Sequence, residues 1–90
     1  VARQQQQDLI VLGQAVRELR MQRHRSIRNL ATICGVSPRR LAELEHGRLD
    51  PDLELLAALA QGIGVRLSEI FVRAERLTAR ESSRPPGAAG

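Results

Sequence analysis

The chain has no Trp, no Tyr and no Lys, and a single Phe, Cys and Met among its 90 residues. Each shortage excludes something. Cys34 is alone, so an intrachain disulfide and a Cys-rich zinc site are both ruled out, and a reducing compartment fits. His24 and His46 are too isolated to suggest a metal pair, and each reads as an ordinary histidine at a helix end, a place that favours basic side chains. Almost no aromatic side chain is available as a stacking platform for single-stranded nucleic acid, and Phe71 falls on an expected inner helical face. There is no run of about 18 apolar residues to span a membrane, and no signal-peptide pattern at the N-terminus. These absences predict a soluble cytoplasmic protein. No Ser-His-Asp or Cys-His arrangement, metal-ligand cluster or Gly-rich phosphate loop is visible, so no catalytic residue, metal or cofactor is expected and the chain does not read as an enzyme.

What the sequence does have is arginine. All fourteen basic residues are Arg, a bias that a GC-rich genome produces as readily as selection for guanidinium chemistry. Their placement is more informative than their number. Residues 1–40 carry eight Arg against Asp8 and Glu18, a net of +6, whereas residues 41–90 carry six Arg against eight acids, a net of −2. A basic half on a chain with an isoelectric point near 11.2 favours a polyanionic partner.

A chain of this length makes one small domain, which buries only roughly 60–65% of the surface its unfolded form exposes. Residues 1–8, with Gln4 to Gln7 in a row, form a polar lead-in that either extends the first helix or stays disordered. Leu9, Leu12, Gly13, Val16 and Leu19 then have the spacing of an amphipathic helix over about 8–23. Ser26 caps a second helix with Ile27, Leu30, Ala31 and Cys34 on its inner face and Gly35 as its stop, which makes Cys34 a small buried filler. Asp50, Pro51 and Asp52 supply a turn and the cap of a fourth helix, whose inner face includes Leu56, Leu59, Ala60 and Ile63 before Gly64. A fifth helix runs from Leu67 towards Arg80 with Leu67, Ile70, Phe71 and Ala74 on one side. No segment alternates at period two. The expected architecture is an all-α, compact five-helix bundle over residues 9–80, followed by a disordered tail at 81–90. The chain opens on Val1 rather than Met, which leaves open whether residues precede it.

The third helix, between Gly35 and Gly47, carries the densest local signals. Ser37 is a good N-cap, Pro38 suits the first helical position, and Val36 with Leu41 can form a hydrophobic staple. Gly47 can take the left-handed conformation that ends a helix. Leu41 and Leu44 share one face, while Pro38, Arg39, Arg40 and Glu43 lie largely off it. Such a short helix with a basic outer face suits a duplex groove.

A second helix, a Gly-Val-Ser turn and a helix ending Leu-Glu-His-Gly together resemble the helix-turn-helix domain of the phage Cro and repressor family, also called the XRE family. The likeness covers about residues 12–72. It runs through Leu12-Gly13, Arg17-Glu18-Leu19-Arg20, Leu30-Ala31, Gly35-Val36-Ser37, Leu44-Glu45 with Gly47, Pro51, Gly64-Val65 and Leu67-Ser68-Glu69-Ile70-Phe71. The order and spacing of these pieces carry the resemblance. No single piece does.

The resemblance implies a lambda-repressor-like fold and a homodimer that lays helix 3 (about 38–46) of each copy into successive major grooves of double-stranded DNA, with half-sites roughly 34–36 Å apart on a palindromic operator. It places Pro38, Arg39, Arg40 and Glu43 at base-reading positions. Arg can bond guanine O6 and N7 together, Glu can accept from cytosine N4, and Pro38 offers apolar contact. Phosphate contacts are expected from Ser37, from helix N-termini and from Arg28 and Arg48, against the alternative that both arginines are merely solvated. Arg20 and Glu45 match an ion pair that the family buries beneath the motif. Three departures stand out. Ile27 replaces a common phosphate-touching Gln, His24 and Arg25 stand where Gly and an apolar residue are common, and Asp50 and Asp52 bring negative charge to a loop near the expected DNA. The expected dimer surface is helix 5, where Val72, Leu77 and Ala79 add apolar content, with Ile10 and Val11 of helix 1 as the alternative. A competing reading keeps the same domain but makes its main role a protein interaction, as in an antitoxin that binds a toxin partner and represses its own operon.

Overall fold

From α2 onward each helix begins where a side chain accepts from an otherwise unpaired N–H, and most helices end where a residue turns left-handed. The computed structural model describes residues 2–82 and contains α1 (Ala2–Gln22), α2 (Ile27–Cys34), α3 (Pro38–Glu45), α4 (Leu53–Ile63) and α5 (Leu67–Ser82), with no strand among the described residues. Three caps use the same geometry. The Ser26 hydroxyl accepts from the Asn29 N–H at 3.0 Å, Ser37 from Arg40 at 3.1 Å, and the Asp52 carboxylate from Leu55 at 2.8 Å. α5 lacks such a cap, and Glu69 reaches back instead to accept from the Arg66 N–H at 3.2 Å.

α1 begins at Ala2, so the Gln run is helical, and Gln4 Nε2 donates to Asp8 Oδ1 one turn on at 3.0 Å. Apolar periodicity starts only at Leu9, yet nothing before it breaks a helix. The same reasoning extends α5 through Ser82, two residues into the expected tail. Residues 83–90 of that tail lie outside the described residues.

The core gathers Val11, Ala15, Val16 and Leu19 of α1, Leu30 and Ala31 of α2, Leu41 and Leu44 of α3, four apolar residues of α4, and Ile70 and Leu77 of α5. Ile27 and Cys34 are partly buried against it. Partial burial pushes the Cys34 thiol above its ordinary range by desolvating the thiolate.

On α5 the inner face differs from the sequence expectation. Ile70 and Leu77 are buried with Ala74 between them, at the i, i+4, i+7 spacing of one stripe, whereas Phe71 is 41% exposed. Phe71 is rotated by about 100° from Ile70 and clears the edge of that stripe. Leu77, expected as surplus for a partner, is consumed by the fold. The alternative edge on α1 is consumed as well, since Val11 is buried and Ile10 packs on Gly47.

A close backbone approach fixes α1 against α3. A Cβ on Gly13 would overlap the carbonyl oxygens of Leu44 and Glu45, so the backbones meet where only glycine fits. α5 is tied along α1 by Arg73, whose Nη1 donates to Glu18 Oε1 at 2.9 Å and Nη2 to Gln22 Oε1 at 3.2 Å. No single helix among the described residues is long and apolar enough to cross a membrane.

Candidate nucleic-acid interface

α3 is sorted cleanly into an inner and an outer face. Leu41, Leu44 and Glu45 point inward, while Pro38, Arg39 and Arg40 are exposed and Glu43 lies at the boundary. Ser37 starts the helix and Pro38 occupies its first position. At the other end Gly47 takes φ +73, the Gly47 N–H donates to the Leu44 carbonyl at 3.0 Å, and the Arg48 N–H donates to the Glu43 carbonyl at 2.9 Å. This left-handed closure satisfies carbonyls that an ordinary helix end leaves unpaired. His46 adds its ring, with Nδ1 donating to the Ala42 carbonyl at 2.7 Å.

Beneath the helix lies a buried ion pair. Arg20 Nε donates to Glu45 Oε2 at 2.7 Å and Nη2 to Glu45 Oε1 at 3.1 Å, a bidentate fork in which the Glu45 side chain is 2% exposed. Arg20 Nη1 also donates to the Arg25 carbonyl at 2.8 Å, in the turn before α2. One guanidinium therefore ties α1, the α1–α2 turn and the end of α3 together. No buried side-chain polar atom among the described residues lacks a partner.

The outer face differs residue by residue. Arg39 Nε stands 3.7 Å from Glu43 Oε1, one turn further along the helix. Arg28, Arg40 and Arg48 are exposed, and none has a side-chain hydrogen bond or ion pair among the described residues. Ile27 is turned against the core, so the first position of α2 offers only its backbone N–H. Thus α3 presents the exposed cations Arg39 and Arg40 on a helix whose opposite face is locked.

A helix-turn-helix family model matches residues 16–70, spanning α2, the turn and α3. The chain belongs to the Cro and phage-repressor (XRE) family of helix-turn-helix domains. It is 34% identical over 71 residues to the transcriptional regulator ClgR of two Mycobacterium tuberculosis strains, CDC 1551 / Oshkosh and ATCC 25618 / H37Rv. That match takes in 79% of this chain and 63% of the relatives' length. The crystal structure of the clp gene regulator ClgR from Corynebacterium glutamicum superposes with a TM-score of 0.82 at 32% identity, over 84% of this chain and 81% of that one. The restriction-modification controller protein C.AhdI from Aeromonas hydrophila superposes at 0.69 with 30% identity, over 71% and 97% of the two chains.

The departures from the XRE pattern have structural answers. His24 takes φ +55, a left-handed conformation that closes α1 without the usual glycine. The His24 N–H donates to the Met21 carbonyl and the Arg25 N–H to the Arg20 carbonyl, both at 3.0 Å. Asp52 is engaged as the α4 cap, while exposed Asp50 is among the residues, with Ser37, Arg40 and Glu54, that line an open cleft of about 550 Å³. No group of three or more His, Cys, Asp or Glu side chains among the described residues is arranged to hold a metal ion.

Sequence reading missed two contacts of this helix-turn-helix domain. The Arg20 bond to the Arg25 carbonyl depends on the exact path of a turn. The Arg73 bridge joins residues 55 apart in sequence, and no local spacing marks it.

Proposed function

We propose that the protein is a sequence-specific, double-stranded DNA-binding transcriptional regulator that binds a palindromic operator as a homodimer, with α3 of each copy in the major groove. The observation that carries this reading is the exposed Pro38-Arg39-Arg40 face on a helix held from behind by the Arg20–Glu45 fork. A helix presented in this way can offer guanidinium groups to guanine O6 and N7. Arg28, Arg48, Ser37 and the N-terminal N–H groups of α2 and α3 then lie where phosphate contacts would hold the helix in register.

Each chain contributes one reading helix, and a twofold operator needs two, about 34–36 Å apart. The second copy fits best on α5. There Phe71 and Val72 are 41% and 43% exposed, and Phe71 lines an open groove with Leu12, Ala74 and Ala79.

The deciding experiment is selection of bound duplexes from random DNA at stated salt, with clp promoter fragments included because the ClgR relatives are named for those genes. The expected product is an inverted repeat. Arg40→Ala should lower affinity for it by roughly 1–3 kcal/mol and relax one base pair in each half-site. Arg48→Ala should instead weaken specific and non-specific binding alike and flatten the salt dependence by about 0.9 for each phosphate that is no longer neutralised. Recovery of duplexes with no shared sequence would overturn the reading.

A further inference from the structure

We propose that Glu43 is a positioning residue for Arg39, holding its guanidinium for one base pair rather than reading a base itself. The inference rests on α3 being the reading helix. Arg39 and Glu43 lie one turn apart on the outer face, with Arg39 Nε 3.7 Å from Glu43 Oε1, and their side chains are 91% and 44% exposed respectively. The two partners are therefore unequal. Arg39 is a long side chain almost wholly in water, with many rotamers to lose on binding, whereas Glu43 is shorter and partly held by the helix surface. The carboxylate is the fixed member and the guanidinium is the one it restrains.

The atoms engaged support this assignment. Contact through Nε leaves Nη1 and Nη2 outermost, and those two donors in one plane match the O6 and N7 acceptors of guanine. Charge argues the same way. An uncompensated carboxylate on the outer face of α3 would meet the negative field of the phosphates, and the adjacent guanidinium offsets it. Glu43 has no other side-chain partner among the described residues, its carbonyl being the group that accepts from His46 and Arg48. Neighbouring Arg40 has no such ion pair, although it too is exposed, and so serves as an internal control.

The pair adds little to folding, because an exposed Arg-before-Glu pair is the weaker orientation on a helix. Its removal should leave α3 intact. The test is a double-mutant cycle of Arg39→Ala, Glu43→Ala and the double variant, each with circular dichroism to verify the fold. Binding is measured to the selected operator and to every single-base variant of one half-site. Arg39→Ala should lower discrimination at one base pair by about 5- to 150-fold. Glu43→Ala should lower discrimination at that same base pair by about 3-fold or more, and in the Arg39→Ala background it should change nothing there. In the Arg40→Ala background Glu43→Ala should keep its full effect.

Relaxation at a different base pair, or a full Glu43→Ala effect without Arg39, would make Glu43 a direct reader and overturn the proposal. No change in preference on Glu43→Ala would equally overturn it. If Arg39→Ala is silent while Arg40→Ala relaxes a base pair, the positioning role fails and the reading helix stands. If both arginine variants are silent in a folded protein, α3 itself is not the reading helix.

Discussion

At the scale of single residues, Arg20 has the largest influence. Its three guanidinium nitrogens reach Glu45 twice and the Arg25 carbonyl once, so it joins pieces of chain that local structure leaves independent. Arg20→Met would leave the Glu45 carboxylate buried without its partner, and it should lower the unfolding free energy by about 3–5 kcal/mol in urea denaturation. Arg20→Met combined with Glu45→Leu should recover most of that stability, because two apolar side chains avoid both desolvation penalties. A single-variant decrease below about 0.5 kcal/mol would place the pair among weak surface contacts and contradict its burial. The pair and its burial were visible in the sequence through the family resemblance, but the third bond, to the Arg25 carbonyl, was not.

At the scale of elements, the helix ends decide how α3 is set. Gly47 at φ +73 lets the chain turn under α1, and a Cβ there would stand 2.8 Å from Ile10 Cα and Cγ1. α1 ends without that freedom, because His24 occupies φ +55, a conformation that costs an L-residue roughly 1–2 kcal/mol. Replacing it with glycine removes this strain and restores some backbone entropy to the unfolded chain. The net expectation for His24→Gly is a gain of about 0.5–1 kcal/mol in unfolding free energy. Unchanged or reduced stability would mean that the imidazole makes a compensating interaction. The sequence marked position 24 as unusual, and the dihedral angle supplies the reason.

At the scale of the whole molecule, α1 and α5 form one side of the domain and leave an apolar groove between them. Leu77 is buried within the chain, so the surface proposed for a second copy is narrower than the sequence suggested and centres on Phe71 and Val72. Phe71→Glu should preserve the circular dichroism spectrum, shift the molecule towards monomer in light scattering, and remove the concentration dependence of its melting temperature. Operator affinity should fall with it, since two half-sites no longer act together. A dimer that survives the substitution unchanged would move the interface elsewhere.

The sequence by itself determined the helices and their order. Ser26, Ser37, Asp52, Gly35, Gly47 and Gly64 act through bonds to backbone groups three or four residues away, and that range is readable from spacing alone. The outward set Pro38, Arg39 and Arg40 was legible for the same reason, because helical periodicity assigns faces. Only the tertiary structure decided which apolar residues remained outside. Phe71 and Leu77 exchanged roles because burial depends on where α1 lies against α5, and no spacing within α5 contains that information. The Arg73 bridge, the backbone approach at Gly13 and the third bond of Arg20 likewise join residues that meet only once the helices pack. The distances that set the candidate site are products of that packing, while the chemistry offered there was already written in the order of the residues.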